Sequence, residues 1–154
     1  MDGHQIISTV RAFLKFVDSP PADAAERDQR LLRHLDSLAH SQHHVAFTFD
    51  DRDYPDPPNL ADKLRDRIAR RFPDFGHYNT PEYLETNVGE SPCIVGDAID
   101  DIHDIVSELL EVEWRWSNTS SADALFHFEF TYGSHWQYHL RWLQVYLVER
   151  QYEA

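Results

Sequence analysis

Two pairs of side chains in the C-terminal half of the chain have the residue types and spacing of metal ligands. His135 and His139 are four residues apart, which places both imidazoles on neighbouring turns of one helical face. Asp100 and His103 repeat the carboxylate-x-x-histidine spacing of di-iron helical bundles. If the apolar faces of the two antiparallel helices that carry these pairs pack directly against each other, His103 lies toward one side of the interface and His135 toward the other. The two histidines can then share an ion only if the packing of the helices is rotated. The sequence offers one candidate metal site with four ligands: Asp100, His103, His135 and His139.

Three polar residues fall on otherwise apolar helical faces. Glu113 lies near the middle of the apolar face of one predicted helix, and Glu129 and His139 lie on the core-facing arc of the next. Burying such groups costs free energy unless a partner satisfies them. We therefore expect a polar core cluster of Glu113, Glu129 and His139, in which each carboxylate bonds an arginine, a histidine or a tyrosine hydroxyl. His139 is expected to be structural, bonded to a carboxylate or a backbone carbonyl.

Acidic residues dominate one loop and the polar face of one predicted helix. The chain carries 27 acidic and 14 basic residues, for a formal net charge of -13. This charge opposes binding to nucleic acid and to anionic membrane surfaces, whereas it suits a basic protein partner. The candidate partner-binding surface comprises Asp50, Asp51, Asp53, Asp56, Asp101, Asp104, Glu108 and Glu111.

The common catalytic motifs are incomplete or missing in the sequence. Cys93 has no motif around it, and no serine stands in a Gly-x-Ser-x-Gly elbow. The sequence has neither a phosphate-binding glycine loop nor paired Cys-x-x-Cys zinc ligands. A helical nucleotide pyrophosphatase needs acidic pairs on facing helices to hold magnesium. Glu108 and Glu111 supply one pair, but Tyr132 stands three residues after Glu129, so the second pair is incomplete.

Helices must position these candidate residues. Apolar residues recur at helical spacing in four segments, at about residues 4–17, 22–46, 60–72 and 97–118. A fifth helix is predicted over 125–148, where the core-facing residues include Leu125, Tyr132, Trp136 and Leu143. Its opposite side is also apolar, which is typical of a helix packed between others. Residues 73–96 contain three prolines and three glycines and are predicted to be irregular.

Length and composition fit a single soluble domain. A chain of 154 residues with 42% hydrophobic residues can bury one core and is too short for two. Cys93 is the only cysteine, so no internal disulfide can form and a reducing compartment is the simpler assumption. No cationic region precedes an apolar run at the N-terminus. We therefore expect residues 1–154 to form one cytoplasmic helical domain.

Four motifs carry a resemblance to a known family: RFPDFGHYN (71–79), DAIDDIHDI (97–105), EVEWRW (111–116) and FHFEFTYGSHWQYHLRWLQVYL (126–147). They resemble a bacterial family of unknown function, catalogued as domain of unknown function 5063, over nearly the whole chain. The resemblance implies a small acidic cytosolic protein with one mostly helical domain. Its aromatic-rich C-terminal helix carries a His-Trp pair, here His135 and Trp136, and then a second histidine, here His139. The resemblance implies no activity, cofactor or catalytic residue.

The sequence predicts an all-α fold, a single antiparallel bundle of about five helices with the aromatic-rich C-terminal helix at its centre. Because no catalytic constellation is complete, the favoured function is a non-enzymatic protein-interaction or regulatory module without a cofactor, a class that includes inhibitor- or immunity-type proteins. The alternative is a metal-dependent hydrolase, pyrophosphatase-like or a di-metal bundle, that uses carboxylates and histidines of the last two helices. A hydrolase requires a concave pocket, whereas an interaction module requires a flat aromatic or acidic patch.

Overall fold

The computed structural model of the protein describes residues 1–153, most of which are helical. The helices are α1 (Gly3–Asp18), α2 (Ala24–Gln42), α3 (Leu64–Arg71), α4 (Ala98–Asn118), α5 (Ser121–Thr131) and α6 (Gln137–Glu153). Two strands, β1 (His77–Pro81) and β2 (Cys93–Asp97), lie between α3 and α4. A π-helical segment (Tyr132–Trp136) joins α5 to α6 without a break in helical backbone geometry. Within the described residues no helix combines the length and apolar character needed to cross a membrane.

The two strands make the all-α prediction wrong. β1 and β2 pair in antiparallel fashion, in a register that sets His77 opposite Asp97 and Pro81 opposite Cys93. Most of this hairpin lies in the segment 73–96 that was predicted to be irregular. Its strands have five residues each, too few for a period-two pattern to stand out among prolines and glycines. The fold is mostly helical with a two-stranded antiparallel sheet.

Capping side chains determine where the site-bearing helices begin. At the start of α4 the carboxylate of Asp97, the last residue of β2, accepts a hydrogen bond from the Ile99 amide. At the start of α5 the Ser120 hydroxyl accepts one from the Asp123 amide. Such caps satisfy amides that have no partner inside the helix. Because β2 passes directly into α4, the hairpin packs beside the first turns of that helix.

The core is built around α4. This helix contacts α1, α3, α5 and α6, and α2 packs against both α1 and α6. The prediction that the C-terminal helix is central is therefore corrected, because α4 has that position. The predicted apolar stripe on the C-terminal helix is confirmed, since all of its residues are buried: Leu125, Phe128, Tyr132, Trp136, Leu140, Leu143 and Leu147.

The other side of the C-terminal helix faces solvent, although its apolar character predicted packing between helices. Phe130 is 60% exposed and Tyr138 is 69% exposed. Phe126 stacks on Phe130 and meets Phe49 edge-on, so the loop between α2 and α3 covers part of this aromatic surface. Apolar residues around a whole helix therefore do not establish that other helices enclose it, since folded proteins expose much apolar area.

The loop between α2 and α3 is attached to the rest of the fold by Asp50. Its carboxylate accepts hydrogen bonds from the Ser120 and Tyr54 hydroxyls, each at 2.6 Å. Hydrogen bonds from Arg52 and then from Ser120 hold the pKa of Asp50 well below its usual range. Asp50 is thus a structural group that joins the loop to the start of α5. The other acidic loop residues assigned to a partner surface are exposed: Asp51, Asp53 and Asp56.

A charged cluster joins α2, α6 and the turn after α3. The buried Arg27 donates to Asp28 and Asp74, and Arg150 donates to the same two carboxylates. Both guanidinium groups lie over the Phe75 ring, at 5.0 and 4.8 Å from its centre. Although burial raises the pKa of Asp74, the hydrogen bonds from Arg27 and Arg150 lower it overall to about 2. Buried charges are tolerated when they are paired and hydrogen-bonded in this way.

We expect Leu143→Ala to lower the free energy of unfolding by about 2–5 kcal/mol, because Leu143 is fully buried within the stripe. Val145→Ala is the matched control: Val145 is on the same helix and 49% exposed, so its loss should be about 0.5 kcal/mol or less. Chemical denaturation followed by circular dichroism measures both variants. Equal losses would show that the stripe is not the core face.

Asp74→Asn, which neutralises this carboxyl, should lower the free energy of unfolding only above the pH at which the carboxyl titrates. Its pKa is lowered from 3.8 to about 2 in the folded chain. A lowered pKa contributes stability that is present above the unfolded value and is lost as the pH falls to the folded value. The difference in unfolding free energy between wild type and Asp74→Asn should therefore be constant down to about pH 5 and shrink between about pH 4 and pH 2. Denaturation at a series of pH values tests this, and a difference independent of pH would contradict it.

Candidate functional site

A pocket of about 650 Å³ lies among the β1–β2 hairpin, the first half of α4 and the start of α6. Four carboxylates from β2 and α4 form its acidic wall: Asp97, Asp100, Asp101 and Asp104. The remaining lining is largely aromatic and aliphatic and includes Tyr78, Tyr83, Leu84, Ile94, Tyr138 and Trp142. A concave, mostly apolar cavity with a few convergent polar groups is typical of a ligand-binding site.

Asp101 joins three elements beside the pocket. The residue is only 4% exposed, and its carboxylate accepts one hydrogen bond from the Tyr78 hydroxyl on β1 and another from His139 Nδ1 on α6, the latter at 2.8 Å. Burial raises the pKa of the Asp101 carboxyl, and the hydrogen bond to Asp101 raises the pKa of the His139 imidazole. Burial, and then Asp101, also raises the pKa of the Tyr78 phenol. Such shifts are expected where buried polar groups share protons.

The hairpin places Tyr78 for this contact. Gly96 lies directly opposite Tyr78 in the strand register, and a Cβ atom at Gly96 would overlap the Tyr78 ring. The ring also packs against that of Tyr146 on α6, with the centres 5.4 Å apart. A glycine at this position therefore leaves the space through which Tyr78 reaches Asp101.

Carboxylates on α4 alternate with histidines on the C-terminal helix along the interface between them. His139 Nε2 lies 3.1 Å from Asp104 Oδ2. One turn further, His135 Nδ1 lies 2.8 Å from Glu108 Oε1, and His127 Nε2 lies 3.2 Å from the other oxygen of Glu108. The hydrogen bond from His127, and then that from His135, lowers the pKa of Glu108. We call this set the histidine–carboxylate seam: Asp101, Asp104, Glu108 and Glu111 with His127, His135 and His139.

The π-helical segment aligns the histidines of the seam. His127 and His135 are eight residues apart, a separation that turns the second side chain about 80° from the first in a regular α-helix. A π-helical turn contains more residues, which reduces this rotation, and His135 lies within the segment Tyr132–Trp136. The sequence-based placement of His135 assumed a regular α-helix, whereas in the structure its Nδ1 lies 2.8 Å from Glu108 Oε1 on α4.

Two triads of metal-ligating atoms converge in the part of the chain that the structure describes: Asp104, His135 and His139, and Glu108, Glu111 and His127. Of the predicted metal ligands, the structure brings His135 and His139 together with Asp104. Asp100 instead pairs with Arg65 of α3 at 2.6 Å, and His103 Nδ1 lies 3.0 Å from Asp104 Oδ1. Sequence reasoning left Asp104 out of the candidate metal ligands and assigned it to the partner surface, because a charged residue on the polar side of α4 was assumed to face solvent. Its spacing from Asp101 and Glu108, three and four residues, is the signal that could have found it.

The predicted polar core cluster is not assembled in the described part of the chain. Glu129 is exposed, because it follows the buried Phe128 on α5 and its side chain is therefore turned about 100° away from the buried face. Glu113 does pair with an arginine from another helix, Arg11 at 3.0 Å, but at the partly exposed edge of the bundle. His139 belongs instead to the seam, where a carboxylate partner is present as expected of a structural histidine.

The residues of the predicted acidic partner surface do not all face solvent. On α4, the four carboxylates of that surface pair with histidines of the C-terminal helix or with Arg115, and none of them is fully exposed. Asp101 is buried, and Glu111 accepts a hydrogen bond from Arg115 at 2.7 Å. The physical reason is the central position of α4, since a helix contacted on several sides has its polar face covered too. Asp50 is likewise engaged within its loop.

Comparison of the chain with protein-family models, with curated proteins and with solved structures finds no match. The resemblance to domain of unknown function 5063 therefore stays a prediction. Function has to be argued from the chemistry of the pocket and of the histidine–carboxylate seam.

Tyr78→Phe should lower the free energy of unfolding by about 1.5–3 kcal/mol, because it removes a hydrogen bond to a buried carboxylate. Tyr83→Phe provides the control: Tyr83 also lines the pocket but is 51% exposed, so the change should stay within about 0.5 kcal/mol. Urea denaturation of both variants gives the comparison. If Tyr78→Phe changes the free energy of unfolding as little as Tyr83→Phe does, the hydrogen bond from the Tyr78 hydroxyl to Asp101 does not stabilise the fold.

Proposed function

We propose that the protein is a non-enzymatic binding module whose pocket receives a basic side chain from a protein partner. The observation that carries this proposal is the pocket, where an acidic wall and aromatic side chains line the same cavity of about 650 Å³. Arginine and lysine combine the matching features, since each carries a cationic group on an apolar stem. The size of the cavity lies within the range of sites that enclose compact ligands.

The charge of the pocket favours a cationic ligand. Asp97 and Asp100 share a single cation, Arg65, which lies 2.6 Å from each carboxylate. Glu82 adds a further exposed carboxylate to the lining. Together with the formal net charge of -13 for the chain, these groups attract basic partners and repel phosphates. The ligand chemistry supported best is therefore a cationic group on a basic partner.

Aromatic residues offer a surface for both parts of such a side chain. Tyr83, Tyr138 and Trp142 line the pocket, and the faces of tyrosine and tryptophan rings attract ammonium and guanidinium groups. At the rim, Leu84 is 87% exposed and Tyr138 is 69% exposed. Exposed apolar side chains next to a cavity support binding of a partner's adjoining residues.

Two short peptides that differ in one charge test the proposal. We expect Gly-Arg-Gly to bind about tenfold more tightly than Gly-citrulline-Gly, because citrulline keeps the length of arginine but loses the ion pair and the cation–π contact. Affinity for the arginine peptide should also fall as salt is added. Two-dimensional NMR titration in the presence of a chelator measures both affinities without a contribution from metal ions.

A matched pair of tyrosine variants locates the binding. Tyr138→Ala should weaken binding of the arginine peptide by about three- to tenfold, through loss of an aromatic face. Tyr152→Ala should leave it unchanged, because Tyr152 is an 83% exposed tyrosine of the same helix that does not line the pocket. Equal affinity for the two peptides, no binding of either, or equal losses in both variants would overturn the proposal.

A second candidate function is a metal-dependent hydrolase. It is favoured by the convergence of Asp104, His135 and His139, two of which, Asp104 and His139, also line the pocket. Catalytic zinc sites use three protein ligands and keep one position for water or substrate. This function depends on a metal at the triad, whereas binding of a basic side chain does not.

A further inference from the structure

We propose that Asp104, His135 and His139 form a binding site for a divalent transition metal. The site lies on the histidine–carboxylate seam, between α4 and the C-terminal helix, at the edge of the pocket. One carboxylate with two imidazoles is a donor set that suits zinc, iron, cobalt and related ions. The inference is independent of the basic partner, and the hydrolase function depends on it.

The distances among the three side chains approach those between co-ligands of one ion. His139 Nε2 lies 3.1 Å and His135 Nε2 lies 3.7 Å from the same oxygen, Asp104 Oδ2. All three ligand atoms lie within 4.8 Å of one another. In a tetrahedral zinc site with bonds of about 2.0–2.1 Å, neighbouring ligand atoms are about 3.4 Å apart. Small side-chain movements therefore suffice to enclose an ion.

Hydrogen bonds hold both imidazoles in the tautomer that a metal requires. His135 Nδ1 lies 2.8 Å from Glu108 Oε1, and His139 Nδ1 lies 2.8 Å from Asp101 Oδ1. A carboxylate can only accept, so each Nδ1 carries a proton, and a neutral imidazole then has its lone pair on Nε2. When both imidazoles are neutral, two Nε2 lone pairs and a carboxylate oxygen therefore converge as three acceptors. A cation among them satisfies all three.

The carboxylate that orients each of the two histidines is itself held by a further side chain. Asp101, which orients His139, accepts a hydrogen bond from the Tyr78 hydroxyl. Glu108, which orients His135, is fixed from its other side by His127. Metal-bound histidines usually donate their second ring N–H to a carboxylate or carbonyl that is itself hydrogen-bonded. The seam has this arrangement at both imidazoles, so the ligand positions are set before an ion binds.

The charges of the region favour a dication at this triad. Three carboxylates, those of Asp101, Asp104 and Glu108, surround the two imidazoles. Arg65, the arginine beside the pocket, pairs with other carboxylates. A divalent ion therefore offsets negative charge that the neutral imidazoles leave unbalanced.

The second triad, Glu108, Glu111 and His127, is a weaker candidate. Arg115 donates two hydrogen bonds to Glu111 Oε1, at 2.7 and 3.0 Å. Its guanidinium already pairs with this carboxylate, and its positive charge repels a cation. The metal is therefore assigned to the triad with Asp104.

The proposed site leaves room for exchangeable ligands. The side chain of His135 is 43% exposed, and Asp104 and His139 line the pocket. Water can complete the coordination, as in sites that keep a position open for substrate. A group that enters the pocket can reach the ion directly.

Metal binding is measured on the full chain, purified without a histidine tag and stripped with a chelator. Co²⁺ followed by its visible absorption and Zn²⁺ in competition with a chromogenic chelator are the probes. We expect one equivalent of either ion to bind. Asp104→Asn and His135→Ala should each weaken Zn²⁺ binding by about 100-fold or more, and Asp101→Asn, which affects only an orienting group, by about 10- to 100-fold.

His43→Ala is the matched control, because it removes an exposed histidine that lies outside the seam, and we expect it to bind Zn²⁺ as the wild type does. Circular dichroism of the metal-free variants checks their folding. Wild-type binding no tighter than that of His135→Ala, or an equal loss in His43→Ala, would overturn the site. So would NMR spectra in which both nitrogens of His139 stay protonated in excess Zn²⁺, because an imidazolium between Asp101 and Asp104 then satisfies both carboxylates.

Discussion

A carboxylate buried where three elements meet constrains this structure. Asp101 is 4% exposed, and burying a charge is costly unless hydrogen-bond partners replace water. Tyr78 from the hairpin and His139 from α6 supply these partners. Meeting this requirement holds the hairpin against α4 and α6, and these three elements provide the lining of the pocket. The need of one buried carboxylate for hydrogen-bond partners therefore shapes the cavity and also orients the imidazole of His139, which lines it.

The other carboxylates along α4 have the same requirement, because every polar group in a helix–helix interface needs a hydrogen-bond partner. Glu108 meets it with two histidines, His127 and His135, which a regular α-helix would turn away from each other. The π-helical segment keeps both in contact with α4. Such irregularities are common at functional sites, where a side-chain position matters more than ideal backbone geometry. The seam is thus a product of backbone irregularity as much as of residue type.

A structural feature could be predicted from the sequence when the interactions that determine it lie within one element, and not when they join residues far apart in the chain. The buried stripe through Leu143 could be predicted because apolar periodicity is a property of one helix. The hairpin could not, since its short strands are stabilised by pairing and by contacts such as that of Tyr78 with Asp101. Asp104 looked like a solvated charge, because two of the histidines that pair with it, His135 and His139, are more than 30 residues away. Glu129 was misplaced because the width of a buried face depends on the neighbouring helices.

Asp104 belongs both to the acidic wall of the pocket and to the proposed metal triad, which links the two proposals. A dication at the triad would neutralise part of the wall, so a cationic side chain in the pocket would bind less tightly. By thermodynamic reciprocity, a basic ligand would weaken the metal by the same factor. A carboxylate or carbonyl ligand, in contrast, would gain an ion to coordinate, and it would strengthen metal binding. The metal content of the protein would therefore decide which chemical class of ligand the pocket selects.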